Sequence, residues 1–120
     1  MWVSGFLDEP TFKRHLAAAD VIALPFELVS SDVPLSVLEA EALGKPIVAT
    51  RTVCLPEMIP PNVGMLATPA DVGSLAGALN QLAADPARRA NMANHAREFA
   101  AQWGDWSDRN AQWEQLLQAL

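Results

Sequence analysis

A single cysteine, Cys54, stands in 120 residues, so the chain can close no internal disulfide and offers no cysteine-based metal spacing. A reducing compartment, the cytoplasm, is the expectation. Basic residues are also scarce, eight Lys and Arg against fourteen Asp and Glu, which leaves a net charge of −6. Nucleic-acid grooves and polybasic membrane patches neutralise phosphate with clustered cations, and this balance argues against both. No apolar run approaches the ~18–20 residues of a membrane span. Asp8 and Glu9, close behind the first residue, do not fit a signal peptide. The two histidines, His15 and His95, lie far apart with no third ligand type at metal spacing, which favours solvated or capping roles over metal or acid–base work. Internal repeats, low-complexity segments and linkers are missing too.

What is present is the composition of a folded domain. Apolar residues make up 51% and charged residues 18%, too much core and too little charge for a disordered tail. The length suits one domain over residues 1–120.

Along the chain, short apolar runs alternate with helical patterns. Trp2 to Leu7 has strand-like composition, and Asp8-Glu9-Pro10 then opens a helix that keeps Phe12, Leu16 and Ala19 at helical spacing. Val21 to Leu24 is a continuous apolar run closed by Pro25, as a strand covered on both faces would be. After a loop at Phe26 to Val33, helical spacing resumes through Leu43, Gly44 supplies a stop, and Pro46 to Thr50 is the next strand. Val63 to Ala67 follows, with Asp71 capping a helix through Leu82, Asp85-Pro86 opening another to roughly Ala101, and a last helix bearing Trp106, Trp113, Leu117 and Leu120. Strands alternating with amphipathic helices predict an α/β fold, a Rossmann-like parallel sheet flanked by helices. Ligands of such sheets gather at the carboxyl ends of the strands, here after Phe6, Leu24, Thr50 and Ala67.

The loop after Leu24 runs through Ser30-Ser31-Asp32-Val33-Pro34 into a helix, with Asp32 as cap candidate and Pro34 in the first turn. Free amides from Leu35 to Val37 suit an anion, although most such helix ends hold only water. On a helical wheel Glu39 falls between Leu35 and Leu43 on an arc expected to face the sheet, whereas Glu41 falls on the other side and is expected to be solvated. A carboxylate in a core stripe needs partners. Bonds to nearby loop amides and acceptance of ribose hydroxyls are both open for Glu39. Cys54 reads as a small apolar residue rather than a nucleophile, and Trp103, Trp106 and Trp113 as packing residues rather than a sugar-stacking platform.

The run from Pro34 to Thr50, PLSVLEAEALGKPIVAT, followed by Leu55-Pro56-Glu57-Met58-Ile59, resembles the donor-binding region of retaining glycosyltransferase family 4. Gly5-Phe6-Leu7-Asp8-Glu9, Ala18 to Pro25, Gly64-Met65-Leu66 and Pro69-Ala70-Asp71 agree with it, so the likeness covers nearly the whole chain. The resemblance implies a GT-B architecture of two Rossmann-like domains, of which this chain is the later part of the C-terminal one, lacking its first strands. It implies that Glu39 holds the donor ribose, that the amides of Leu35 and Ser36 meet the diphosphate, and that Phe6 and Leu7 lie against the nucleotide base. Residues of about 104–120 would be the helix that crosses back towards the other domain. The reaction implied is transfer from a nucleoside-diphosphate sugar with no cofactor and no bound metal, with the isolated chain inactive.

Departures from the family pattern set further expectations. Ser31 stands where a sugar-contacting glutamate is usual, so Ser31 or Asp32 is expected to approach the sugar, and Val53-Cys54 replaces a glycine pair and should stiffen its loop. A non-catalytic nucleotide-sugar-binding or self-associating module is the alternative these departures support. With strands missing between Trp2–Phe6 and Val21–Leu24, a four-strand sheet and homo-oligomers through an exposed sheet edge are expected.

Overall fold

The computed structural model describes residues 5–29 and 33–119. The elements are α1 (Glu9–Ala18), β1 (Ile22–Leu24), α2 (Leu35–Ala42), β2 (Ile47–Thr50), α3 (Leu55–Met58), β3 (Gly64–Ala67), α4 (Val72–Ala84), α5 (Pro86–Ala101) and α6 (Trp106–Gln118). Among the described residues the sheet has three strands in the order β1-β2-β3, all parallel, with Ile22 opposite Ile47 and Ile47 opposite Gly64. The alternation of strand and helix is therefore as the sequence predicts. The expected fourth strand, Trp2 to Phe6, lies mostly outside the described residues, and of its two described residues Gly5 has no regular structure and Phe6 lies in a bend, fully exposed.

The central strand β2 is buried throughout, as its unbroken apolar run requires, and its alternate side chains feed two cores. Ile47 and Ala49 pack with Val37 and Ala40 of α2 and with Leu55, Met58 and Ile59 around α3. Val48 points the other way, to Ala78 and Leu82 of α4 and Met92 of α5. The outer edge of β1 has no strand partner among the described residues.

Side-chain caps fix the helix starts. Asp8 accepts the Thr11 N–H at 3.1 Å, Asp71 that of Ser74 at 2.9 Å and Asp85 that of Arg88 at 2.8 Å. Gly44, at φ 63°, ends α2 in a Schellman turn: its N–H donates to Glu41 O, and the Lys45 N–H to Ala40 O, both at 2.8 Å. Asp105 and Asp108 form a capping box at the start of α6, a helix with no buried residue whose Trp106 and Trp113 are exposed. Trp103 packs within the chain, meeting Phe99 edge-on at 6.0 Å between ring centroids, whereas Trp106 and Trp113 find no packing partner that buries them among the described residues.

Candidate functional site

α2 begins at the carboxyl edge of the sheet, where its N-cap is Pro34, one position earlier than the first-turn place expected for it, with no side-chain capping bond. The expected Asp32 cap and the sugar contacts of Ser31 and Asp32 lie outside the described residues. The Val37 N–H donates to Pro34 O at 3.0 Å, which takes it out of the set of free amides. Leu35 and Ser36 remain the donors available at the helix start, with the Leu35 side chain 71% exposed.

The buried side of α2 is the opposite of the one expected. Pro34, Val37, Ala40, Glu41 and Gly44 are buried, while Leu35, Ala42 and Leu43 are exposed and Glu39 is half-exposed. The reason is that α2 is apolar almost all round, so its wheel does not single out one face. α5 packs on one side of it and settles the rotation. Glu39 is consequently on the open face, free to meet a ligand, and its charge raises the pKa of Lys13 on α1, after the larger effects of the Lys13–Glu9 hydrogen bond and ion pair at 2.5 Å. Glu41, expected in solvent, is completely buried.

Phe6 and Leu7 line an apolar concavity with Phe12 and His15 along α1, to which neither Glu39 nor the start of α2 contributes. The structure thus brings Glu39 and the Leu35–Ser36 amides onto one helix and leaves the expected base contacts apart. A second crevice, across the carboxyl ends of all three strands, holds Glu27, Thr50, Thr68 and Asp71. Thr50 is buried at its floor and donates its hydroxyl to Phe26 O, fixing the loop that carries Glu27. No motif in the sequence marks Glu27, although it and Asp32 are the two acidic residues between Leu24 and Leu35. That count could have found it.

Next to this edge, Val53 holds φ 42°, the left-handed region that a β-branched residue rarely adopts. The backbone of this loop is strained at Val53. Val53→Gly is expected to raise stability by about 1 kcal/mol, the strain relieved less the extra freedom of glycine in the unfolded chain. A urea midpoint unchanged or lowered would show that the loop is not under tension. Cys54 is half-buried against the core around Leu55. His95 is exposed and pairs with Glu98 at 3.3 Å, and no group of three or more metal-ligating side chains occurs among the described residues. No helix among them is long and apolar enough to cross a membrane.

Residues 2–85 match the sequence family described as "Glycosyl transferases group 1". Among curated relatives, the MMP alpha-(1->4)-mannosyltransferase of Mycolicibacterium hassiacum is 34% identical over 91% of this chain and 26% of its own length. A GDP-mannose-dependent monoacylated alpha-(1-6)-phosphatidylinositol monomannoside mannosyltransferase of Corynebacterium glutamicum is 33% identical over 96% of this chain and 32% of its own. Among solved structures, sucrose-phosphate synthase from Thermosynechococcus elongatus superposes with a TM-score of 0.82 at 27% identity, over 97% of this chain and 29% of that one. Anabaena HepE in complex with UDP gives 0.79 at 29% identity, over 89% and 29%. The chain thus spans 26% and 32% of those two curated relatives.

Proposed function

The chain belongs to the glycosyl transferases group 1 family, and from that membership we propose that it is the donor-binding portion of a nucleotide-sugar-dependent retaining glycosyltransferase. The observation that carries the reading is Glu39, a half-exposed carboxylate on the open face of α2, one turn in from the Leu35 and Ser36 amides. A helix start with a carboxylate just beyond it matches a nucleoside diphosphate. The amides and the positive end of the helix take the diphosphate, and the carboxylate accepts two ribose hydroxyls. HepE binds UDP and UDP-glucose on a fold that superposes on this one, which supports that class of donor.

In this reading Glu27, at the carboxyl-edge crevice, lies on the side where the transferred sugar extends, and Ser31 or Asp32 contacts that sugar. Phe6 and Leu7 meet the base once the donor draws their loop in. The exposed apolar side of α6 turns to a further GT-B domain that carries the acceptor, and the bare edge of β1 pairs with additional strand, from the same protein or from a second copy. The reaction is cytoplasmic and uses no bound metal.

Calorimetric titration of UDP and GDP into the complete protein tests the assignment. Glu39→Gln is expected to weaken the preferred nucleotide by about 1–3 kcal/mol, the value of a charge-assisted pair of hydrogen bonds, with the fold unchanged. Equal affinity for the variant and the parent would remove Glu39 from the ribose.

A further inference from the structure

β3 is the outer strand of the sheet on the side away from β1, and no strand covers its far edge among the described residues. The ladder fixes which groups that edge offers. Ala67 turns its carbonyl inward, where it accepts the Arg51 N–H at 2.8 Å, so by the alternation of a strand Leu66 and Gly64 turn their backbone groups outward. Both ends of the edge are closed: Pro60 O takes the Gly64 N–H at 3.1 Å, and Ser74 Oγ takes the Thr68 N–H at 2.9 Å. The Gly64 carbonyl and the N–H and C=O of Leu66 stay open.

A crevice of about 260 Å³ runs along this edge, walled by Pro56 and Pro61 and flanked by Arg51 and Arg88, with no carboxylate in its lining. Met65 packs towards the core around Val48 and Leu66 towards the core around Ile47, so the crevice reaches both faces of the sheet. In a chain of net charge −6 with eight Lys and Arg, Arg51 is the one whose side chain has no hydrogen-bond or ion-pair partner among the described residues. The Arg88 guanidinium has Gln81 Oε1 alone, at 3.3 Å. Both arginines are nevertheless fixed at the backbone, Arg51 by its bond to Ala67 and Arg88 by the Asp85 cap at 2.8 Å.

We propose that the β3 edge is a docking site for an extended acidic segment of a partner protein, which pairs its backbone with Gly64 and Leu66 and sets its carboxylates against Arg51 and Arg88. A lone inorganic anion would satisfy the arginines but lie against the outward carbonyl oxygens. A second copy of the same edge would set arginine against arginine, a repulsive pairing. Open donors and acceptors between two cations fit a peptide backbone that carries carboxylates. The site lies across the sheet from β1, and it does not rest on the role of Glu39.

Fluorescence anisotropy of a short labelled peptide of alternating valine and glutamate, titrated with the complete protein, tests the site. The peptide should bind, weaken about tenfold in each of Arg51→Gln and Arg88→Gln, and weaken further as salt rises, while its lysine counterpart stays free. Saturation with the glutamate peptide should slow amide exchange at Leu66 about tenfold, and N-methylation of every second peptide amide should abolish both effects in one of its two registers. Equal affinity of the glutamate and lysine peptides, or of the parent and the variant carrying both substitutions, would overturn the proposal. Binding that leaves the Leu66 exchange unchanged would place the peptide off the strand edge and overturn it as well. Neither arginine belongs to either core, and the Leu66 measurement needs no variant.

Discussion

Gly64→Ala is expected to lower folding stability by about 3 kcal/mol, although it adds a single methyl group and φ at this residue is ordinary. Gly64 is the first residue of β3 and lies directly opposite Ile47 in the ladder. A Cβ built there would run into the Ile47 carbonyl oxygen and come within 2.6 Å of Ile59 Cγ2. A flexible side-chain end could swing aside, but a strand carbonyl cannot, since Ile47 is completely buried and locked between β1 and β3. Relief must come from prising β3 away from β2 or from displacing Ile59, itself fully buried beside Leu55 and Met58. Urea unfolding of the variant measures the loss. A decrease below about 1 kcal/mol would mean that the strand pair tolerates a shift the geometry does not suggest. An apolar residue at this position was legible in the sequence only as part of a strand. The requirement for glycine was not, because it arises from a side chain and a carbonyl that the fold brings together from two other segments.

The same division runs through the whole chain. Asp8, Asp71 and Asp85 cap the helices that their spacing announces, and Gly44 stops α2, because those bonds form between residues at most five apart and need no tertiary context. β2 reads as covered on both faces from its composition alone, and it is. The rotation of α2 was illegible for the opposite reason. With Leu35, Val37, Leu38, Ala40, Ala42 and Leu43 spread around eight residues and their flank, periodicity offers two buried arcs, and the choice is made by α5, which begins more than forty residues later. That one rotation exchanged the roles of two glutamates: Glu39 gained the exposure a ligand contact needs, and Glu41 lost the solvent expected for it. In the site, the residue pattern marked the start of the helix and Glu39 and the resemblance gave them their roles, while the place of Glu27 became plain when β1, β2 and β3 set their ends side by side.

Leu82→Ala separates what holds the domain from what reads the ligand. Leu82 is completely buried on the face of the sheet away from α2 and α3, against Val48, Ala78 and Met92. Its removal leaves a hole between α4, α5 and β2 that neighbouring helices, each anchored by its own Asp cap, can close only in part. The expected loss is about 2–5 kcal/mol, the range for deleting a leucine side chain from a packed core. Arg89, which donates to the Leu82 and Ala83 carbonyls at 2.6 and 2.9 Å, should still hold the end of α4, so the helix itself persists and the damage is one of packing. No polar group is uncovered near the start of α2, and sites that share no partner act close to independently. In the complete protein the nucleotide affinity of the folded fraction should therefore stay within about twofold of the parent. That is the reverse of Glu39→Gln, which should leave the urea midpoint in place and weaken the nucleotide. An affinity that falls along with stability in Leu82→Ala would mean that α5 transmits the loosened core to α2, the helix it packs against, and that the seat of α2 on α5 governs the donor site as strongly as Glu39 does.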